Sequence, residues 1–145
     1  VKKKVTIRNP NSTRPWQHVL DVLNGYICLA TKLSSNKNLH GEAFNFGPTS
    51  SKNLKVIDIL KISKSIWPKI KWSIKNKKNF FENNLLQLNS NKAKKILDWK
   101  CVFTSKQAIK VTIDWYKKYS LKENILNVSK NQINQFKDKN SSEKY

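Results

Sequence analysis

A short segment near the start of the chain combines the residue types that bind phosphate groups. It runs from Ile7 to Val19 and reads as the end of a β-branched strand, a loop that carries Arg14, and the start of an amphipathic helix. A guanidinium group is planar and permanently charged, so it can hold a diphosphate through two parallel hydrogen bonds beside the positive end of a helix dipole. The segment therefore predicts a diphosphate contact from Arg14. The alternative is a surface arginine stacked on Trp16.

The positions of the two arginines support a specific role for this segment. The chain has 29 lysine and arginine residues, and its only arginines, Arg8 and Arg14, both fall here. Lysine carries the same charge but cannot present the planar fork. Arg8 ends the predicted strand, where its side chain either hydrogen-bonds a ligand or is solvated, and the sequence leaves both open.

Five stretches, in order and with compatible spacing, resemble one enzyme family over nearly the whole chain. "IRNPNSTRPWQHVLDVLNGY" is similar to the start of the substrate-binding half of the CDP-glucose 4,6-dehydratases, which are extended short-chain dehydrogenase/reductases. "EAFNFGPTS", "LLQLNSNKAKKILDWK", "AIKVTIDWYKKY" and "VSKNQINQF" resemble later elements of the same family. The first stretch and the last are specific to this dehydratase, whereas the Ser-Lys-Ala and Leu-Gly-Trp element is shared across the superfamily.

The resemblance implies an α/β fold, the C-terminal substrate-binding portion of an extended short-chain dehydrogenase/reductase, with short strands alternating with helices and the Rossmann domain mostly absent. Residues 1–136 would form the nucleotide-sugar-binding domain, and residues 137–145 a polar, disordered tail. The parent enzyme would be a lyase that uses NAD. It would take a hydride from sugar C4, eliminate water across C5 and C6, and return the hydride to C6. The product, CDP-4-keto-6-deoxyglucose, would serve the synthesis of deoxysugars in surface polysaccharides.

Residues of the first stretch take substrate-binding roles by the same resemblance. Arg14 would position the diphosphate, and Arg8 would end the strand that lines the nucleobase pocket. Gln17 and His18 match the family pattern, although a histidine at the start of a helix is more often structural than chemical. Of the five tryptophans, only Trp16 is placed to meet a ligand.

Two further candidates lie later in the chain. Asn45 would shape the pocket wall, or else bond to nearby backbone. Glu82 aligns with a glutamate that would hold a loop over the nucleotide, and an exposed carboxylate is the favoured alternative. The sequence departs from the family where residues 79–81 replace His-Pro-His and where Asp98 replaces the glycine before Trp99. These departures leave open another nucleotide-sugar dehydratase or epimerase.

The motifs for cofactor binding and acid–base chemistry are absent. A dinucleotide site needs a glycine-rich turn, and the chain holds only Gly25, Gly41 and Gly47. The superfamily's Tyr-x-x-x-Lys pair is missing too, since the residues four positions after Tyr26, Tyr116 and Tyr119 are Ala30, Ser120 and Glu123. We therefore expect the C-terminal part of a larger enzyme, with no catalytic, cofactor-binding or metal-binding residue here. A Rossmann domain would supply NAD binding and the acid and base.

The formal net charge of +20 raises a nucleic-acid function as the alternative class. Positive charge attracts polyphosphates without reading sequence. The lysines are spread over nearly every segment, however, and no nucleic-acid-binding signature appears. A solvated, lysine-rich surface is therefore favoured over a basic binding module, and a gene remnant without function is a third possibility. Cys28 and Cys101 fit free thiols better than a zinc site or a disulfide.

No stretch is long and apolar enough to span a bilayer, and no signal-peptide pattern opens the chain. We therefore expect a cytoplasmic protein without a membrane partner. Its partners would be the CDP-sugar substrate and the Rossmann domain, and the parent would be a homo-oligomer. Specific nucleic acid is not expected as a partner.

Local patterns predict the elements that would position these residues. Val5 to Arg8, Ala43 to Phe46 and Ile70 to Ile74 read as strands. His18 to Leu33 reads as a helix, with one apolar face formed by Val19, Leu23, Tyr26, Ile27, Ala30 and Leu33. Asn53 would cap a second helix that Pro68 stops. Helices are also predicted from Asn89 or Ser90 through Leu97, and from a capping box of Thr104 and Gln107 to about Tyr119.

Overall fold

A computed structural model describes residues 4–48, 54–75 and 86–142. Within these residues, short strands alternate with helices, and helices make up most of the structure, which confirms the predicted α/β class. The elements are β1 (Val5–Ile7), α1 (Val19–Ser35), a 3-10 turn (Lys37–Leu39), α2 (Val56–Ile66), β2 (Trp72–Ile74), α3 (Asn91–Leu97), α4 (Ser105–Ser120) and α5 (Ile125–Ser142).

The strands β1 and β2 form a two-stranded parallel sheet. Val5 pairs with Trp72, and Ile7 pairs with Ile74. Parallel neighbours need a crossover connection rather than a tight turn, and here the helix that leads into β2 is α2, which packs against α4. Both strands lie where the sequence predicts them. The sheet fixes the start of the loop that carries Arg14.

The prediction of a strand from Ala43 to Phe46 is wrong. This segment has no regular secondary structure and no ladder partner among the described residues. Side chains bond its end instead: the Phe46 carbonyl accepts from Gln17 Nε2 at 2.9 Å, and the Gly47 amide donates to Ser90 Oγ at 2.8 Å. A strand requires a paired neighbour, which the local sequence pattern does not contain.

The predicted capping box at the start of α4 is confirmed. The Gln107 amide donates to Thr104 Oγ1 at 3.3 Å, and the Thr104 amide donates to Gln107 Oε1 at 2.9 Å. Two backbone donors that the helix leaves unpaired are satisfied in this way.

The helix α2 begins after Lys55, whose amide donates to Asp58 Oδ2 at 3.1 Å. The predicted cap, Asn53, lies outside the described residues. The helix ends at Ile66, two residues before Pro68, as the sequence predicts. Proline restricts the preceding residue to extended backbone, so helices usually end there.

Two hydrophobic clusters hold the helices together. The first lies between α1, the 42–48 segment and α3, and its buried members are Leu39, Phe46, Ala93, Leu97 and Trp99. The second lies between the start of α1, α4 and α5, and its buried members are Val102, Phe103, Ala108 and Phe136. Leu29 packs against the first cluster and Leu20 against the second. Because α1 joins both clusters, the loop before it is anchored to the whole core.

The apolar face of α1 that the sequence identified is not the face that packs. Asp21 and Gly25 are buried, and Cys28 and Leu29 contact the first cluster. Gly25 is required by this packing, because a Cβ there would lie 2.5 Å from Phe46 Cδ1. The identified face lies on the opposite side of the helix and is mostly exposed, and of its members Leu33 packs against the first cluster.

Asp98, which stands where the family resemblance predicts a glycine, has a backbone conformation that favours glycine. Its φ is 52° and its ψ 32°, the left-handed region, which aspartate tolerates better than most residues. The turn ends α3 and directs Trp99 into the core, where it is 1% exposed. The residue at this departure from the family pattern therefore occupies a position whose backbone a glycine would also adopt.

The polar segment predicted to fray from Lys137 continues α5 as far as Ser142. Phe136 packs edge-on against Phe103, with ring centroids 5.5 Å apart. Lys139 Nζ donates to Gln107 Oε1 at 2.8 Å. These contacts hold the last turns of α5 against the start of α4, an attachment that polar composition alone does not reveal.

Candidate functional site

The loop that carries Arg14 is fixed to the first turn of α2 by backbone hydrogen bonds. The Ile57 amide donates to the Pro10 carbonyl at 2.9 Å, and the Val56 amide donates to the Ser12 carbonyl at 3.0 Å. Thr13 also forms an isolated antiparallel bridge with Lys55. The first amides of α2 are thereby occupied by the loop, and the loop gains a defined conformation.

Arg14 is half-buried on this fixed loop, and its Nη1 donates to the Thr13 carbonyl at 2.7 Å. This bond holds the guanidinium against its own loop. An arginine held by its own loop loses less side-chain freedom when it binds an anion. The geometry is thus that of a pre-positioned guanidinium.

Trp16 and Gln17 support the loop through their side chains. Trp16 Nε1 donates to the Leu54 carbonyl at 2.9 Å, and the Trp16 carbonyl accepts from Ser105 Oγ at 3.2 Å. Gln17 Nε2 donates to the Phe46 carbonyl, while its Oε1 is buried and has no hydrogen-bond partner among the described residues. The indole and amide donors are therefore used within the protein.

His18 forms the cap of α1 and is 5% exposed. Its Nδ1 accepts from the Leu20 amide at 3.3 Å, and its ring packs edge-on against Phe103 at 5.4 Å. Burial lowers the pKa of His18 below its ordinary value, because the charged form is desolvated. These contacts favour the structural role over the chemical one.

The lowered pKa of His18 predicts a pH dependence of stability. Between the folded pKa and the unfolded value of about 6.5, the unfolded chain binds more protons. His18 therefore contributes its full stability above about pH 6.5 and loses it as the pH falls toward the folded pKa. Asparagine is a good helix cap without a titrating group. We therefore expect the free energy of unfolding of His18→Asn to increase relative to that of the wild type as the pH falls from 7 to 5. Urea unfolding of both proteins across this range measures the difference, and a constant difference would contradict the assignment.

The other predicted site residues lie outside the segment from Arg14 to His18. Arg8 is exposed just beyond β1, and Asn45 is exposed in the 42–48 segment. Gln17 links the loop to this segment through its bond to Phe46, the neighbour of Asn45. Glu82 lies outside the described residues. The structure thus connects Arg14, Trp16, Gln17 and His18 in one loop and brings the Asn45 segment beside it.

Sequence reasoning missed Asp21, which is fully buried on α1. Asp21 Oδ1 accepts from the Val102 amide at 2.6 Å, and the Asp21 carbonyl accepts from Trp99 Nε1 at 3.1 Å. Burial raises the pKa of Asp21, and the bond from Val102 opposes this, with smaller opposing effects from the Cys101 thiol, the Phe103 amide and Lys139. Oδ2 has no hydrogen bond of ordinary geometry among the described residues. The signal in the sequence is a single acid within the apolar run of the predicted helix.

The element that resembles Ser-Lys-Ala docks α3 onto the 42–48 segment. Lys92 pairs with Glu42, lies over the Phe44 ring at 4.7 Å, and lowers the pKa of Glu42 through this bond. Ala93 is fully buried, and Ser90 bonds the Gly47 amide. The shared element is therefore structural in this chain.

A cavity of about 490 Å³ opens between the start of α1 and helices α4 and α5, and Gln17 and His18 line one side of it. On the opposite side, Trp115 Nε1 donates to Ser129 Oγ at 3.0 Å, and Gln132 Nε2 donates to the Val111 carbonyl at 3.0 Å. These donors are paired within the protein, so the cavity presents mainly apolar walls.

In the described part of the chain, no three histidine, cysteine or acidic side chains come together as a metal site. Neither Cys28 nor Cys101 forms a disulfide in the described structure. None of the described helices combines the length and the apolar character that crossing a membrane requires.

The arrangement of elements matches part of the fold of solved nucleotide-sugar epimerases of the extended short-chain dehydrogenase/reductase type. The UDP-glucuronic acid 4-epimerase from Bacillus cereus, solved with UDP-glucuronic acid and NAD, matches with a TM-score of 0.66 and 21% identity over 81% of this chain and 36% of that chain. The UDP-glucose-4-epimerase from Stenotrophomonas maltophila, solved with NAD and formylated UDP-arabinopyranose, matches with a TM-score of 0.66 and 14% identity over the same shares. No family model matches the chain.

The sequence is similar to CDP-glucose 4,6-dehydratase of Salmonella typhimurium strain LT2, with 31% identity over 135 residues. The match covers 92% of this chain but 38% of that enzyme, in its C-terminal part. The resemblance predicted from the sequence motifs is thus confirmed. The chain spans well under half the length of the enzyme that it matches.

Proposed function

We propose that the chain is the nucleotide-sugar-binding part of an NAD-dependent CDP-glucose 4,6-dehydratase, a lyase of deoxysugar synthesis. The observation that carries the proposal is the half-buried Arg14 on a loop fixed to α2 and α1. The similarity to CDP-glucose 4,6-dehydratase supports CDP-glucose as the substrate. A pre-positioned guanidinium suits a diphosphate, since a bidentate charged contact adds both energy and orientation.

In this proposal Arg14 holds the diphosphate, and its neighbours keep it in place. Trp16 and Gln17 anchor the loop on either side, and His18 starts the helix behind it. Arg8 and Asn45 are exposed and remain proposed contacts to the nucleotide. With Glu82, which lies outside the described residues, they complete the proposed substrate-binding set.

Two of the three glycines of this chain, Gly25 and Gly47, do not fit a dinucleotide site. A Cβ at Gly25 would strike the Phe46 ring, and a Cβ at Gly47 would lie 2.8 Å from Leu88 Cβ. Both glycines are therefore used for internal packing, and a pyrophosphate cannot approach their backbone amides as a dinucleotide site requires. We propose that another part of the enzyme binds NAD, which supplies the hydride chemistry at the sugar, together with the acid and base.

The isolated chain should therefore neither bind NAD tightly nor convert CDP-glucose. It should bind CDP-glucose through the Arg14 loop alone. Titration calorimetry with NAD, CDP-glucose and UDP-glucose measures this, and stronger binding of UDP-glucose would favour a dehydratase or epimerase for another nucleotide sugar. Product formed by the purified chain, or tight NAD binding, would contradict the division of roles.

A further inference from the structure

Arg14 lies between two anchor points of its loop. On the N-terminal side, the loop bonds to the first turn of α2 through the carbonyls of Pro10 and Ser12. These are backbone bonds, which depend little on side-chain identity. On the C-terminal side, the Trp16 carbonyl accepts from Ser105 Oγ at 3.2 Å. This second anchor, which joins the loop to α4, depends on one hydroxyl group.

The backbone between Trp16 and Arg14 is short and stiff. The Trp16 amide donates to the Arg14 carbonyl at 2.9 Å. Pro15 stands between them, and a proline both fixes its own φ and restricts the backbone of the residue before it. A displacement of the Trp16 carbonyl is therefore passed on to Arg14 and is not absorbed by the chain between them.

The start of α4 is itself held by the last turns of α5. Lys139 Nζ donates to Gln107 Oε1 in the first turn of α4 at 2.8 Å. The same ammonium group lies over the Phe103 ring, 5.5 Å from its centroid. Phe103 in turn packs edge-on against His18, with ring centroids 5.4 Å apart. Contacts thus lead from the end of α5 to the segment that follows Arg14.

We propose that Ser105 and Lys139 are positioning residues for the diphosphate contact of Arg14. In this role neither touches the substrate: Ser105 holds the Trp16 carbonyl, and Lys139 holds the start of α4, where Ser105 lies. These roles rest on the proposed function, and they add the end of α5 to the parts of the chain that set the affinity for the nucleotide sugar. A guanidinium that is held in place before binding loses less freedom when it binds. Loosening the loop should therefore weaken binding although every ligand contact is still present.

The test measures the affinity of the full chain for CDP-glucose by titration calorimetry. Ser105→Ala removes the hydroxyl donor, and Ser105→Thr restores a hydroxyl group. Ser120→Ala is the matched control, since Ser120 Oγ bonds to the Lys117 carbonyl of its own helix at 2.7 Å. Lys139→Ala is compared with Lys130→Ala, which removes the same charge from an exposed position on α5. Circular dichroism checks that each variant is folded.

We expect Ser105→Ala and Lys139→Ala to bind CDP-glucose about three- to tenfold more weakly than the wild type, because each loses one hydrogen bond that orders the loop. Ser105→Thr should recover most of the loss, and both control variants should bind like the wild type. Wild-type affinity in Ser105→Ala or Lys139→Ala, or a loss that the matched control shares, would overturn the role of that residue.

A second measurement needs no ligand. The NMR signal of the Arg14 Nε–H group reports the order of the guanidinium on the nanosecond timescale, and the chain has only one other arginine, Arg8. We expect the heteronuclear NOE of this signal to fall in Ser105→Ala and Lys139→Ala and to stay unchanged in the two controls. An unchanged NOE in Ser105→Ala and Lys139→Ala would overturn the proposal. If the wild type does not bind CDP-glucose, the proposed function fails, whereas this signal still tests whether Ser105 and Lys139 order Arg14.

Discussion

Replacing Arg14 by alanine should weaken the binding of CDP-glucose about 10- to 100-fold. A bidentate guanidinium–phosphate contact in a partly dehydrated site contributes roughly 1.5–3 kcal/mol, which corresponds to that loss of affinity. Arg14→Lys should recover only part of it, since an ammonium keeps the charge but cannot present the fork. Titration calorimetry on the chain would measure all three affinities.

The matched control for Arg14 is Lys130→Ala, which removes one positive charge from an exposed position on α5. If attraction to the +20 chain caused the binding, both alanine variants would lose affinity equally, and salt would abolish it. In an enzyme that combines this chain with an NAD-binding domain, the Arg14→Ala defect should appear mainly in KM, because the diphosphate does not react. Unchanged affinity in a folded Arg14→Ala variant would remove Arg14 from the site.

Replacing Asp21 by alanine should destabilise the protein by about 1–3 kcal/mol, because the buried Val102 amide loses its acceptor. Relief of the desolvated carboxylate offsets part of the loss. Asp21→Asn keeps an acceptor oxygen and should cost less. Urea unfolding at pH 7 measures both variants, and Val102→Ala at a buried site serves as a control for lost packing alone.

The raised pKa of Asp21 also predicts the direction in which stability changes with pH. In the folded state the carboxyl binds a proton more readily than in the unfolded chain, where the pKa of an aspartate is about 3.9. Its contribution to stability is therefore greatest at low pH and is lost as the pH rises from about 4 through the folded pKa. The wild type should lose stability relative to Asp21→Asn over this window. A difference that is independent of pH, or an Asp21→Ala variant as stable as the wild type, would contradict the role assigned to Asp21.

Local signals predicted the elements that depend on local interactions. The capping box of Thr104 and Gln107 defined the start of α4, and Pro68 marked the end of α2. The prediction of a strand at residues 43–46 was wrong because strand pairing depends on a distant neighbour that a local pattern does not contain. The prediction of which face of α1 packs was wrong for a related reason. The face that packs holds Asp21 and Gly25, so most of the apolar side chains lie on the opposite face, which the described residues leave largely exposed.

The candidate site was predictable in part. The resemblance and the two arginines identified the loop from Arg8 to His18, and the structure fixes it through bonds to residues 54–57. The helix-start position already favoured a structural His18, but its contact with Phe103 and the bond from Trp16 to Leu54 were not readable, because these partners are far away in sequence. Asp21 was overlooked because its partner, the Val102 amide, is a backbone group that leaves no trace in residue type.

An NMR titration of the chain with CDP-glucose tests the central claim most directly, because backbone amide shifts report where the ligand binds. We predict that the largest shift changes fall on residues 9–18 and that Arg14→Ala abolishes most of them. Changes confined to the lysine-rich surfaces of α4 and α5, or an identical response in Arg14→Ala, would contradict a nucleotide-sugar site on this loop.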